Sequence, residues 1–439
     1  MPMRANPEIL RRVWLEMNPA RVICLALILP AVYVLAYLVA DGYHEFLSVC
    51  RDISLIGIVV LPGIWGTRLV VEALTEEIRG RTWELQRMTP LSPWQMTLGK
   101  LIGGPIYAWY GGLLFIPPYL FSIWGLGDPA RGIWHLINLL LAVALFHGMA
   151  LAFALIGVRK ARFWNAEMPR AMPFYLLLGF VSLLWMTGGS LHHFGRFRLV
   201  WYGLSAENPS FLTGSLLFFA FWAVVGAYRS MRRELQVGGV PWVWLVFLVT
   251  VMFYAAGMSI PQWEWSGTGR MAARLVSAGF IGVLAAYAAM FAEVKDPVEE
   301  RRLFAAAEGG DWRTFGESLP LWPIPAVLVG GICVLLMATP IGAVFVTFPI
   351  VVYLFLLRDM GLILLAHRVV RPRRADAAAV IWLLLLYVLC PMLVGTATKS
   401  KIVVSFFLPF PAENAVLQLI AVFLQASAVA ALLARRPAG

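Results

Sequence analysis

The chain contains few charged residues. Only 13% of its 439 residues are Asp, Glu, Lys or Arg, whereas 61% are hydrophobic. Soluble domains carry roughly a quarter charged residues, so the polar surface of this chain is too small to cover a globule of its length. The composition therefore excludes a soluble domain and indicates that lipid surrounds most of the protein.

Cysteines are also scarce, and none has the spacing of a site. Cys24, Cys50, Cys333 and Cys390 form no Cys-x-x-Cys pair and no other pattern typical of metal ligands. Most of them lie in apolar runs, where a cysteine packs as a small hydrophobic residue. The sequence predicts neither a disulfide framework nor a metal site, and it offers no catalytic or cofactor-binding motif.

A nucleotide-binding loop is missing as well. Gly99-Lys100 is followed by Leu101, and Trp94 stands where a P-loop would have its first glycine. The formal charge of +11 is typical of membrane proteins, which concentrate Lys and Arg in their cytoplasmic loops. We therefore predict a chain that binds neither ATP nor nucleic acid.

Long apolar runs make up most of the sequence. About 20 apolar residues cross the core of a bilayer, and this criterion predicts an all-α integral membrane protein with about twelve membrane helices. The predicted segments are 22–40, 53–74, 101–124, 132–158, 172–188, 211–227, 240–257, 275–292, 322–338, 341–357, 377–395 and 413–434.

Basic residues predict the orientation of these helices. The N-terminal tail is basic, and most other Lys and Arg residues fall in loops on the same side of the membrane. Because positively charged loops face the cytoplasm, we expect a multi-pass protein of the cell membrane with both termini cytoplasmic. The run 22–40 is long for a signal peptide and lacks an Ala-x-Ala site, so we predict an uncleaved helix.

The layout favours two parallel six-helix halves, residues 1–236 and 237–439. In each half a long charged cytoplasmic loop, 75–100 or 293–320, joins the second helix to the third. The tripeptide at 206–208, Ala-Glu-Asn, recurs at 412–414 directly before the last helix. Parallel repeats of this kind occur in membrane transporters.

The loop 75–100 is the most polar long segment of the first half. Leu74, Ile78, Leu85 and Met88 recur at the spacing of one helix face. A proline follows Thr89, and the residue before a proline is pushed out of the α region. The sequence therefore predicts an amphipathic helix that ends at this point.

A second helix should begin directly afterwards. Ser92 can cap it, Pro93 suits its first position, and Gln95 completes a Ser-x-x-Gln capping box. This helix continues through Gly99-Lys100 into the membrane. The loop therefore combines a helix, a fixed elbow and a membrane helix, an arrangement suited to docking a partner.

Residues 76–100 resemble the first cytoplasmic loop of exporter-type ABC transporter permeases, the ABC type-2 permease family. The resemblance is carried by Glu76, Glu77, Gly80, Thr82, Glu84, Leu85, Thr89, Pro90, Leu91, Ser92, Pro93, Gly99 and Lys100. The family glycine usually directly precedes the threonine, whereas here Arg81 lies between Gly80 and Thr82.

The resemblance implies a permease subunit that couples ATP hydrolysis on a separate ATPase dimer to the export of a substrate. ATP and Mg²⁺ would bind to the ATPase, so the chain itself would not be an enzyme. Glu77, Thr82, Glu84 and Leu85 would form the docking face of the loop. Residues 89–93 would form the rigid elbow, and Gly99-Lys100 would join the loop to the membrane helix.

The second loop, 293–320, is similarly charged but lacks the Thr-Pro-Leu-Ser elbow. It is either a diverged coupling element or an unrelated loop, and the layout favours the first. In that case one chain presents two coupling elements to two ATPase subunits; otherwise a second permease chain completes the transporter.

Ionisable residues are almost absent from the predicted spans. Only Arg68 and Glu72 lie inside one, near its cytoplasmic end, and their spacing allows an ion pair that anchors the helix. An ion-driven transporter usually needs a carboxylate deep in the membrane, so this absence favours ATP as the energy source. The alternatives are an ion-coupled secondary transporter and a membrane enzyme, acyltransferase-like, that uses His192-His193.

Overall fold

A computed structural model describes residues 6–163, 200–205, 209–239, 241–259, 267–338, 343–409 and 414–434. Within these ranges the chain is mainly helical and divides into two compact units. The main boundary between unit 1 and unit 2 lies between Gly238 and Gly239, close to the predicted boundary at residue 236.

The helices before Gly238 begin with a short surface helix. In chain order they are α1 (Pro7–Glu16), α2 (Pro19–Val39), α3 (Tyr43–Ile58), α4 (Gly66–Arg79), α5 (Trp83–Arg87), α6 (Pro93–Leu98), α7 (Ile106–Gly125), α8 (Pro129–Phe163) and α9 (Pro209–Glu234). A π-helical turn at Val59–Trp65 joins α3 to α4, and a second at Gly99–Gly103 follows α6.

Ten helices are described after Gly239. They are α10 (Trp242–Gly257), α11 (Gly267–Ala292), α12 (Pro297–Glu308), α13 (Trp312–Ser318), α14 (Pro323–Met337), α15 (Ala343–Val369), α16 (Pro372–Leu384), α17 (Cys390–Thr398), α18 (Lys401–Val404) and α19 (Ala415–Ala434), with a π-helical turn at Leu385–Leu389 between α16 and α17. Three two-residue strands are described: β1 (Val200–Trp201), β2 (Leu204–Ser205) and β3 (Met258–Ser259). β1 pairs antiparallel with β3, with Trp201 opposite Met258.

Nine helices in the described ranges are long and apolar enough to cross a membrane, which indicates a multi-pass membrane protein with an all-α membrane part. They are Pro19–Val39, Tyr43–Arg79, Ile106–Gly125, Pro129–Phe163, Ser210–Glu234, Gly269–Ala292, Thr347–Val369, Arg374–Thr398 and Ala415–Ala434. The count of twelve stays a prediction.

The remaining predicted segments either differ in length from the helices of the structure or lie outside the described residues. The runs 240–257 and 322–338 correspond to the shorter helices α10 and α14, and α14 meets α13 at a bend of 96°. The predicted end of a span at residue 357 is wrong, because α15 continues to Val369. The run 172–188 and residues 339–342, which include Pro340 between two predicted spans, lie outside the described residues.

A buried histidine stabilises the π-helical turn between α3 and α4. Pro62 lies in the π-helical turn, and His147 of α8 hydrogen-bonds through Nε2 to the Pro62 carbonyl oxygen at 2.8 Å. The hydroxyl of Thr67 donates to the Gly63 carbonyl at 2.6 Å. Irregular backbone inside a membrane needs such partners, because no water replaces them.

Candidate functional site

The base of the loop 75–100 is a cluster of five charged side chains, of which four are buried and the fifth, Arg11, is 42% exposed. Glu77 lies in the last turn of α4, and Lys100 lies in the π-helical turn after α6. Glu8, Arg11 and Arg12 all come from α1. The cluster therefore joins three segments that are far apart in the sequence.

Glu77 is the centre of this ionic cluster. Nη2 of Arg11 and Nη2 of Arg12 each lie 2.6 Å from its Oε1 atom. Nζ of Lys100 donates to the other oxygen of Glu77 and lies 3.1 Å from Oε1 of Glu8. The prediction that Glu77 belongs to the outer docking face is therefore wrong, because its carboxylate is buried among three cations.

Burial sets the electrostatics of the cluster. Lys100 is completely buried; burial lowers the pKa of its ammonium group, which Glu77 and Glu8 counteract. Burial by itself would raise the pKa of Glu8, but Arg11 and Lys100 bring it below its usual value. A hydrogen bond to Glu8 raises the pKa of Arg11. Removing one partner of a buried ion pair costs roughly 3–5 kcal/mol, because it leaves the other charge uncompensated, so the buried members of the cluster depend on one another.

Two glycines let α1 approach the loop closely. A Cβ atom on Gly99 would lie 2.1 Å from Cγ of Glu8, and one on Gly103 would lie 3.1 Å from Cβ of Arg12. Nδ2 of Asn6 donates to the Gln95 carbonyl at 2.8 Å. The contact with α1 was not predicted from the sequence. The feature that could have indicated it is the position of Glu8 three and four residues before Arg11 and Arg12, a charge pattern typical of a helix that forms ion pairs.

The chain turns sharply at Gly80-Arg81, where Arg81 has a φ of 55°, and α5 follows. Leu74 is completely buried, but Leu85 and Met88 are 63% and 75% exposed. The prediction that these residues share one helix face is therefore wrong, because the turn gives α5 a new direction. Trp83 is the residue that α5 buries.

Trp83 connects the short helix α5 to the membrane helix α9. Its Nε1 atom donates to Oε1 of Glu234 in α9 at 3.2 Å. Its ring lies 5.9 Å from Nζ of Lys100. The short helix is thus held both to α9 and to the ionic cluster.

The predicted elbow forms. The Ser92 hydroxyl accepts from the Gln95 amide at 3.2 Å, and the Gln95 side chain accepts from the Ser92 amide at 2.9 Å, which confirms the capping box. Thr89 donates to the Gln86 carbonyl at 2.6 Å. Trp94 packs edge-on against Tyr228 of α9, with the ring centroids 5.3 Å apart.

The other predicted site residues are mostly at the surface. Nε of Arg68 lies 2.7 Å from Oε1 of Glu72, which confirms that ion pair. The exposed members of the predicted loop set are Glu76, Gly80, Thr82, Glu84, Leu85, Thr89, Pro90 and Ser92, whereas Leu91 and Pro93 are half-buried and Gly99 and Lys100 are buried.

The structure also places an ion pair inside a span. Arg358 and Asp359 lie in the middle of Thr347–Val369, both buried, with Nη2 of Arg358 2.7 Å from Oδ1 of Asp359. The hydroxyls of Tyr287 and Tyr387 each donate to Oδ2 of Asp359 at 2.6 Å. The prediction that no carboxylate is embedded in the membrane part is therefore wrong. The predicted span 341–357 ends too early, because it stops at the first charged residue, Arg358.

Gln425 completes this polar network. Its Oε1 atom accepts from Nη1 of Arg358 at 2.7 Å. The network links α11, α15, α19 and the π-helical turn before α17 within unit 2. His192-His193, proposed for the alternative enzyme, lie outside the described residues.

No protein-family model, curated protein or solved structure matches this chain. The candidate site therefore depends on its own geometry and on the sequence resemblance in residues 76–100.

Proposed function

We propose that the chain is the membrane-spanning permease subunit of an ABC-type exporter, and that α5 docks on a separate ATPase subunit. The observation that supports this function best is the pair of apolar side chains, Leu85 and Met88, exposed at 63% and 75% in a polar loop. Large exposed apolar side chains that cluster on a surface mark interaction sites.

The contacts of α5 would allow it to transmit a movement to the membrane helices. Trp83 is bonded to α9, and the ionic cluster around Glu77 and Lys100 ties the loop base to α1. A displacement of α5 therefore moves several helices together. The chain has no P-loop, so ATP and Mg²⁺ would be held by the partner, whose closure would shift the bundle between two states.

The test is to separate docking from folding. Glu84→Lys and Leu85→Glu change exposed positions, and Glu84→Lys also removes a surface ion pair with Arg87. Since a surface pair contributes at most about 1 kcal/mol, each variant should alter the free energy of unfolding by no more than about 1 kcal/mol. Both should reduce copurification of the ATPase and ATP-driven transport at least about tenfold, the effect of roughly 1.4 kcal/mol in binding. Asp52→Lys is a matched control, because Asp52 is exposed at 57% and is predicted to face the other side of the membrane. Unchanged copurification and transport in both loop variants would contradict the proposal.

A second candidate is favoured by the buried pair Arg358–Asp359. Ionisable residues inside a membrane are costly and usually functional, so an ion-coupled secondary transporter is the runner-up. Transport that survives ATP depletion but stops when the ion gradient collapses would favour this function. Asp359→Asn would then abolish transport, whereas Leu85→Glu would leave it unchanged.

A further inference from the structure

The membrane helix α2 packs loosely against its neighbours in unit 1. Leu29 is the one residue of α2 that is buried. By contrast, α3 and α7 lie close together. A Cβ atom on Gly57 of α3 would lie 2.4 Å from Cζ of Phe115, and one on Gly125 of α7 would lie 2.6 Å from Cδ1 of Leu47. A groove therefore separates most of α2 from the pair formed by α3 and α7.

This groove has a volume of about 360 Å³, which lies in the range of ligand-binding pockets. All three helices contribute to its wall. The lining includes Ala26 and Tyr33 of α2, Cys50 of α3, and Leu114 and Phe121 of α7. Almost all of the lining surface is apolar, so the groove suits a hydrophobic occupant.

The hydrogen-bonding groups at the groove already have partners. The hydroxyl of Tyr33 lies 2.7 Å from Oγ of Ser54, and Ser54 in turn donates to the Cys50 carbonyl at 2.6 Å. The Tyr33 proton is therefore used by Ser54, and the described side chains that line the groove leave no hydroxyl or amide donor for a ligand. Burying an unpaired polar group is costly, and apolar cavities stay dry. The occupant should therefore be a hydrocarbon.

The groove runs along the depth of one leaflet. Phe121 lies four residues, or about 6 Å, before the end of α7, and Leu114 lies eleven residues, or about 17 Å, before it. One leaflet contributes about 15 Å of hydrocarbon, half of the bilayer core. The groove thus extends from near the membrane surface at the turn between α2 and α3 to the middle of the membrane, as a single acyl chain does.

The groove is continuous with the lipid-facing surface of unit 1. Pro30 and Phe121 line it and are themselves exposed. Along α2, the large apolar side chains of Ile23, Leu27 and Val34 are also exposed. Because α2 and α7 are apolar enough to cross a membrane, lipid surrounds these exposed side chains, and its chains have direct access to the groove.

We infer that the groove between α2, α3 and α7 is a binding site for one acyl chain of a membrane phospholipid. The chain fills the space beside Leu29 and supplies packing that α2 lacks, while the headgroup stays at the membrane surface near the turn between α2 and α3. This site does not depend on the proposed function.

The native cysteines allow a test on the wild-type protein in nanodiscs. The probe is a phosphatidylcholine with a photoreactive diazirine in one acyl chain, and labelled peptides are identified by mass spectrometry. Cys50 lines the groove and is only 2% exposed, so the probe should label it through the groove. Cys333 in unit 2 is 6% exposed and gives the background for a buried thiol. Cys24 of α2 is exposed and should be labelled directly from the bilayer.

Filling the groove should remove the label from Cys50. Ala26→Phe places an aromatic ring in the groove and should lower labelling of Cys50 at least about tenfold, which corresponds to about 1.4 kcal/mol of binding, without lowering labelling of Cys24. Ala31→Phe is the matched control, because Ala31 is an exposed residue of the same helix and does not line the groove. It should leave both labels unchanged.

A second measurement follows stability in detergent. A ligand that binds the folded state raises the melting temperature. Added phosphatidylcholine should therefore raise the melting temperature of the wild type and of Ala31→Phe more than that of Ala26→Phe. An equal rise in all three proteins would contradict a specific site.

Two further outcomes would overturn the inference. Labelling of Cys50 no stronger than that of Cys333 in the wild type would show that no acyl chain enters the groove, and this comparison needs no substitution. Cross-links from the groove to a second copy of the chain, in place of lipid, would assign the groove to self-association.

Discussion

Lys100 and Glu77 lie 23 residues apart and meet at the base of the loop, where the ammonium group donates directly to the carboxylate. Lys100 has no exposed surface, and the carboxylate of Glu77 is also bound by Arg11 and Arg12. The cluster contains two carboxylates and three cations, so loss of a carboxylate and loss of a cation should not have the same effect on stability.

The unequal charges predict unequal effects of substitution. Glu77→Gln leaves one carboxylate for three cations and should lower the free energy of unfolding by roughly 3–5 kcal/mol. Lys100→Met leaves two carboxylates with two arginines, so its cost should be smaller. Thermal unfolding in detergent tests the order of the two variants, and a larger loss for Lys100→Met would contradict this account of the cluster.

The ionic cluster also predicts a loss of stability in acid. The pKa of Glu8 is lowered from the ordinary value of 4.5 in the folded protein. The unfolded chain therefore binds the proton more readily, and stability falls as the pH drops below 4.5 towards the folded pKa. The free energy of unfolding of Glu8→Gln should depend less on pH in this range. Equal slopes for the variant and the wild type would show that Glu8 does not contribute.

The close approach of α1 predicts a strict requirement for glycine at position 99. In Gly99→Ala the new methyl group would overlap the side chain of Glu8, so α1 should be displaced and Lys100 should lose a partner. Protease cleavage near the N-terminus and a lower melting temperature would report this displacement.

Gly226 offers the matched control for this substitution. It lies in α9, and apart from the adjacent backbone of that helix nothing lies within 4 Å of a Cβ placed there. Because alanine is a better helix former than glycine by roughly 1 kcal/mol, Gly226→Ala should be neutral or stabilising. A similar loss of stability in both variants would exclude a specific contact at Gly99.

The buried pair in α15 predicts a rescue by double substitution. Asp359→Leu leaves the buried guanidinium of Arg358 without its carboxylate, and such a change costs roughly 3–5 kcal/mol. Arg358→Met combined with Asp359→Leu removes both charges and should recover most of this stability. Melting temperatures of the three proteins test the prediction, and a double variant that is no more stable than Asp359→Leu would contradict it.

Features set by neighbouring residues could be predicted from the sequence. The capping box of Ser92 and Gln95 and the ion pair of Arg68 and Glu72 each span one helical turn, so residue spacing determines them. The apolar runs likewise predicted most of the described membrane helices, since hydropathy is a local property.

Only the tertiary structure decided which loop residues face outwards. Glu77 looked like an exposed acidic residue, but its partners Arg11 and Arg12 lie about 65 positions earlier in the chain. The residue spacing predicts that Leu85 continues the helix face of Leu74. In the structure the turn at Gly80-Arg81 changes the direction of the helix between them. A single change of backbone direction of this kind alters the face of every residue that follows.

The buried polar network around Asp359 in α15 also could not be predicted from the sequence. Arg358 and Asp359 follow the apolar run 341–357, so the sequence predicts a loop at these two residues. In the fold, tyrosines 72 positions before Asp359 and 28 positions after it supply hydroxyl donors. The sequence by itself determined a helical membrane protein with a long polar loop at residues 75–100. The tertiary structure decided which charges are buried, because long-range partners and not local hydropathy compensate the cost of burying them.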